Sequence, residues 1–126
     1  MKVRQLPLTA ALSILFVYTL VLVLLFEEAA WGEANPKVIE IHAKRFQFTP
    51  AQIKLKKDVP VVLRLSSDDR THGFNAPDLK IRGDILPGKT TDIKLTPNKA
   101  GSYDFFCDVF CGSGHEGMNG KLIVEN

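Results

Sequence analysis

The pattern of apolar and polar positions along this chain changes once, sharply, near residue 27. From Leu6 to Phe26 the run LPLTAALSILFVYTLVLVLLF holds 21 residues with no charge, interrupted only by Thr9, Ser13 and Thr19. At about 1.5 Å of rise per residue it predicts a helix of about 30 Å, the thickness of a bilayer's hydrocarbon core. Lys2 and Arg4 precede the run, and Glu27, Glu28 and Glu33 follow it. Cations on the N-terminal side put residues 1–5 in the cytoplasm, make 6–26 a transmembrane anchor in the cell membrane, and leave everything from Glu27 on the periplasmic, extracytoplasmic side. A long cleaved signal segment is the rival, because Ala30-Trp31-Gly32 and Gly32-Glu33-Ala34 look like small-residue cleavage sites. A signal core runs only about 7 to 15 apolar residues, which favours the anchor. Both readings export the rest of the chain.

Residues 27–36, EEAAWGEANP, have no apolar period and end at a proline, so they read as a linker. From Lys37 the period becomes two, as in half-buried strands. Ile39, Ile41 and Ala43 alternate with Glu40, His42 and Lys44; Phe46 and Phe48 resume out of phase, which predicts a bulge near Lys44 and Arg45. Thr49-Pro50 breaks the run. Ile53 and Leu55 start a second strand, and Val61, Leu63 and Leu65 mark a third. Ser67 to Arg82 is polar and aperiodic, which predicts a long loop of the kind that carries function. Leu86-Pro87-Gly88-Lys89 predicts a turn, Ile93 and Leu95 another strand, and Tyr103, Phe105 and Cys107 one face of the next. Leu122-Ile123-Val124 forms a short final strand. Many short strands, frequent turns and no helical period over 37–126 predict an all-β fold, a Greek-key β-sandwich or barrel preceded by one N-terminal transmembrane helix.

Charge narrows the function. The first 34 residues hold two of the cations and three of the anions, so the remainder carries 14 Lys or Arg against 11 Asp or Glu, with both signs scattered. That leaves no concentrated basic footprint for nucleic acid. Lys54, Lys56 and Lys57 read as a solvated strand edge.

The chemistry is concentrated between Cys107 and Met118, CDVFCGSGHEGM, where two thiols, an imidazole and a thioether fall within one loop after a strand. Glycines at 112, 114 and 117 allow it to curl. Soft sulfur donors with a borderline imidazole suit copper cycling between Cu(I) and Cu(II), and suit Mg or Ca poorly. Two cysteines in an oxidising compartment also allow a plain disulfide, which leaves His115 and Met118 unexplained. A zinc site with two Cys and two His would leave Met118 unused. His72 stands in the other long loop, in Asp69-Arg70-Thr71-His72-Gly73-Phe74, and is the candidate second imidazole. His42 lies on the outward phase of the first strand and reads as solvated.

The string from Arg45 to Val124 resembles the copper-binding domain of the cytochrome c oxidase subunit II family, whose dinuclear CuA centre also occurs in nitrous oxide reductase. The matching pieces are Phe46-Gln47-Phe48-Thr49-Pro50, Asp69-x-x-His72-Gly73-Phe74, Ile81-x-x-Asp84-x-x-Pro87-Gly88, Gly101-x-Tyr103-x-Phe105-x-Cys107, and Cys107-x3-Cys111-Gly112-x-Gly114-His115-x2-Met118-x-Gly120. The resemblance implies a cupredoxin Greek-key sandwich over 37–126. It implies two coppers bridged by the Cys107 and Cys111 thiolates, one completed by His72 and Met118, the other by His115 and the Val109 carbonyl. A hydrophobic shell including Phe74, Phe106 and Phe110 would then limit water and tune potential. The implied activity is electron transfer, taken from a redox donor such as a c-type cytochrome and passed to a haem-copper oxidase catalytic subunit, with no catalysis by this chain alone. Two departures stand out. Val109 occupies the place where oxidase subunits commonly carry a magnesium-binding glutamate, and Phe46 and Phe48 stand where many relatives have a tryptophan, the single tryptophan here being Trp31 in the linker. A free-standing membrane-anchored relay, a copper carrier or sensor, and a mononuclear cupredoxin with Cys107 as spectator stay open as alternatives.

Overall fold

The computed structural model describes residues 7–26 and 35–126. Residues 1–5, most of the 27–36 linker, Trp31 and both cleavage-like tripeptides lie outside the described residues. The chain divides into two compact units, Met1–Ala34 and Asn35–Asn126.

In the first unit the uncharged run forms one helix, α1, over Leu8–Phe26. Its 19 residues begin two positions later than the pattern predicts. Among the described residues no helix is long and apolar enough to cross a membrane.

Among the described residues of the second unit nine strands form two sheets: β1 Lys37–Lys44, β2 Gln47–Thr49, β3 Gln52–Lys56, β4 Val61–Ser67, β5 His72–Ala76, β6 Ile81–Ile85, β7 Thr90–Leu95, β8 Gly101–Phe106 and β9 Asn119–Glu125. One sheet runs β2-β1-β4-β7 and the other β3-β9-β8-β5-β6. The β1–β4 and β3–β9 pairs are parallel and the rest antiparallel. Crossing between sheets lets sequence neighbours such as β2 and β3 bury their apolar sides against each other's layer, as a sandwich requires.

The alternation predicted for β1, β3 and β8 is the alternation observed: Ile41, Ala43, Ile53, Leu55 and Phe105 are buried and their neighbours are exposed. The centre of the sandwich is aromatic. Phe74 stacks on Phe105 at 4.7 Å between ring centroids, and Phe48 meets both edge-on, at 5.1 Å from Phe105 and 6.0 Å from Phe74. Each ring is fully buried, worth about 2–3 kcal/mol apiece in area removed from water. The predicted turn at Leu86-Pro87-Gly88-Lys89 closes through the Lys89 N–H donating to the Leu86 carbonyl at 3.3 Å. Gly88 takes φ +73° at its third position, which a side chain disfavours.

Two expectations are corrected. The break in alternation near Lys44 is a reversal of direction and not a bulge, because β1 and β2 pair antiparallel with Lys44 opposite Gln47. The stretch 67–82 is also not one long loop. His72–Ala76 is an inner strand, Pro77–Leu79 a single 3-10 turn, and β6 starts at Ile81. Its sequence lacks the period of two because β5 is buried on both faces over His72, Gly73 and Phe74.

Candidate metal centre

Sheet order brings the candidate ligands together. Neighbouring strands β9, β8 and β5 place at one end of the sandwich the start of β5, the end of β8 and the start of β9. His72 opens β5, Cys107 follows β8, and Met118 precedes β9. Between the last two runs the ligand loop, closed at its base by the Cys107 N–H donating to the Met118 carbonyl at 3.0 Å. Inside it a 3-10 turn over His115–Gly117 aims His115 inward.

All six predicted positions converge. Cys107 Sγ lies 4.0 Å from Cys111 Sγ, 4.0 Å from His72 Nδ1 and 3.2 Å from the Val109 carbonyl oxygen. Cys111 Sγ lies 3.7 Å from His115 Nδ1 and 3.8 Å from Met118 Sδ. The donor atoms of His72, Cys107 and Cys111 all fall within 4.8 Å of one another, the span of ligands about one metal position. His72, Cys107, Cys111 and Met118 are buried, while Val109 and His115 are half-buried. Both cysteines are free. Burial, and then the closeness of Cys107, push the Cys111 thiol up to about 11. A metal binding the thiolates must therefore displace protons.

The His72 ring is held in one tautomer. Its Nε2 is 2.8 Å from Asp69 Oδ1. An ionised carboxylate only accepts, so Nε2 carries a proton, and in the neutral ring Nδ1 is the nitrogen left to face Cys107 as a ligand. Asp69 is itself tied down by the Arg45 N–H at 3.0 Å, Arg45 Nε at 3.3 Å and the Arg70 N–H at 2.8 Å. Burial opposes its charge, but these donors and the imidazole prevail and hold its carboxyl well below the usual carboxylate range. Carboxylate support of this kind orients metal-binding histidines.

Other residues shape the loop. Arg82 Nε donates to Asp108 Oδ2 at 2.7 Å, fixing the first residue after Cys107. Of the three loop glycines only Gly112 has a positive φ, +135°. Gly114 is required sterically, because a Cβ there would collide with the Phe46 ring. Phe46 thus lies across the loop, 37% exposed. The predicted hydrophobic shell is corrected in two of its three members: Phe74 is fully buried, but Phe106 is 40% and Phe110 78% exposed, because they point outward from a strand end and a loop tip. Phe48 and Phe105 take their place as buried partners of Phe74. His42 is exposed, as predicted, with Nδ1 2.7 Å from Ser66 Oγ. Lys54 and Lys56 lie exposed on the edge strand β3.

Sequence reasoning missed the roles of Asp69, Arg70, Arg82 and Asp108. Only Asp69 carried a signal, its spacing of three residues before His72.

The donor set fits copper: two thiolates, two imidazole nitrogens, a thioether and a carbonyl converge, and the thioether that zinc would leave unused is inside the cluster. A family model described as a cupredoxin-like domain matches residues 14–124. The chain is 29% identical over 108 residues to a cytochrome c oxidase subunit 2 of Thermus thermophilus, covering 79% of this chain and 80% of that one. It spans 64% of a second, longer subunit 2 from the same species, at the same identity. Its fold matches a chain of a haem-copper terminal oxidase dimer, with a TM-score of 0.66, 24% identity, and coverage of 94% of this chain and 96% of that chain.

Proposed function

This chain belongs to the cupredoxin-like family, and from that premise we propose that it is a membrane-tethered electron-transfer protein built around a dinuclear copper centre. The observation that carries the proposal is the pair of buried thiols 4.0 Å apart, each with an imidazole nitrogen at 4.0 Å or less and the pair flanked by a thioether and a carbonyl. A single copper would exceed the low coordination of thiolate sites if it took all six donors. Cys107 and Cys111 would bridge two coppers, with His72 and Met118 on one and His115 and the Val109 carbonyl on the other. When bound, the copper pair accepts and releases one electron.

The protein's part is to keep the ligands still. The Cys107–Met118 backbone bond closes the loop, Asp69 fixes the His72 ring, and Arg82 anchors Asp108. The Phe48, Phe74 and Phe105 cluster keeps water from the inner side. A rigid, partly dry site reorganises little when charge changes, which speeds transfer. His115, half-buried beside the exposed Phe110 ring at 5.8 Å, offers the outer side for exchange with a partner. The domain would stand on the extracytoplasmic side behind α1, taking electrons from a donor such as a c-type cytochrome. The acceptor would be the catalytic subunit of a haem-copper oxidase, consistent with the likeness to subunit 2 sequences.

The test is copper loading of the full chain, followed by metal counting and electron paramagnetic resonance. Two coppers per chain sharing one unpaired electron give seven hyperfine lines. One copper with four lines would reject the dinuclear centre and leave a mononuclear cupredoxin.

A further inference from the structure

Arg70 stands out among the arginines. Arg45, Arg64 and Arg82 each lie against a carboxylate, Asp69, Asp92, and Asp84 with Asp108 respectively. Among the described residues Arg70 pairs with none. Its neighbour Asp69 turns its oxygens to Arg45, to the His72 ring and to the Arg70 backbone N–H. The Arg70 guanidinium reaches 41 residues along the chain, and its Nη1 donates to the carbonyl of Cys111 at 2.8 Å. An un-neutralised cation is thus fixed to the backbone of a residue whose buried sulfur is the middle of the donor cluster.

A cation so placed acts on the charge of that sulfur. The same field bears on redox state. Copper held by His72, Cys107, Cys111, His115 and Met118 would supply one-electron chemistry, and taking up one electron would lower the total charge of the site by one. A fixed positive charge nearby stabilises the lower-charged, reduced state.

We propose that Arg70 is a positioning residue that sets the reduction potential of the copper centre upward, through its charge held on the Cys111 carbonyl. The inference rests on the copper reading given above. It also makes Arg70 the hinge between the β4–β5 connection and the ligand loop, two segments with no strand pairing between them.

The experiment measures the midpoint potential of the copper-loaded full chain by spectroelectrochemistry, for the parent, Arg70→Gln and Arg70→Lys, at low and high salt. Arg70→Gln keeps a donor and removes the charge; Arg70→Lys keeps the charge. The expected result is a lower midpoint in Arg70→Gln, a midpoint near the parent's in Arg70→Lys, and a smaller gap at high salt because Arg70 is an exposed residue. The hyperfine pattern stays the same in all three. A midpoint in Arg70→Gln equal to the parent's overturns the proposal. So does an equal fall in both variants, which would assign the effect to bond geometry and not to charge. A parent chain that takes up no copper rejects the copper reading itself, and this inference with it. A copper-loaded parent with an unmoved Arg70→Gln potential rejects this inference alone.

Discussion

Replacing Asp69 by asparagine keeps the shape of the side chain and removes its charge, at the point where the β1–β2 turn, the β4–β5 connection and His72 meet. In the parent the carboxylate accepts from the Arg45 N–H, the Arg70 N–H and His72 Nε2, at 3.0, 2.8 and 2.8 Å. Its side chain is 16% exposed, so these bonds are little screened. An amide has one acceptor oxygen and turns an NH2 toward one of these donors. At least one charge-assisted bond is lost outright and the others weaken. At about 1.5–3 kcal/mol for a hydrogen bond to a charged group, Asp69→Asn should lose roughly 2–3 kcal/mol of stability at neutral pH.

The pH dependence tests the cause. The folded-state pKa of Asp69 lies below its unfolded value, so its contribution is fully present above the unfolded value of about 4 and is lost as pH falls below that toward the folded pKa. Urea unfolding of the metal-free chain should therefore show parent and variant far apart at pH 7 and converging in strong acid. Copper affinity should fall about 10–100-fold, the usual cost of losing a carboxylate behind a ligating histidine. A variant within about 0.5 kcal/mol of the parent at pH 7, the size of an ordinary surface substitution, with unchanged copper affinity would refute both the anchoring of the loop and the tautomer argument.

Met118→Leu should keep copper and change its potential, because leucine fills similar space and a thioether is a weak ligand; metal counting and potentiometry check it. Cys107→Ser or Cys111→Ser should abolish the dinuclear site, since each thiolate would bridge both metals, and two coppers with an unchanged spectrum in either would refute the bridging assignment. Gly120→Ala should cost about 1–3 kcal/mol in chemical denaturation, because its Cβ would collide with the buried Phe105 ring and the Ala51 carbonyl. Neither neighbour is free to yield.

Much of this protein was legible as pattern. Ile41 and Ala43, Ile53 and Leu55, and Leu122 and Val124 declare buried faces because a strand's side chains alternate whatever its partner. Cys107, Cys111, His115 and Met118 could be read as one donor set because a single short loop carries them, and local spacing limits how far apart its side chains can lie. The apolar run at 6–26 likewise predicts a helix from composition alone, and the helix found spans Leu8–Phe26. The tertiary structure decided the rest. The strand at His72–Ala76 hides from pattern reading because both its faces are covered, and nothing local distinguishes such a segment from a loop. The turn at Arg45-Phe46 looked like a bulge because reversal and bulge break the alternation in the same way, and only the pairing of Lys44 with Gln47 separates them. Which phenylalanines shelter the site, Phe48 and Phe105 and not Phe106 and Phe110, depends on the faces the two sheets turn toward each other. The reach of Arg70 to Cys111 depends on segments brought together by the packing of the strands. Distances of that kind are properties of the packed sandwich, because Arg70 and Cys111 stand 41 positions apart on a chain that is free until the core fixes it.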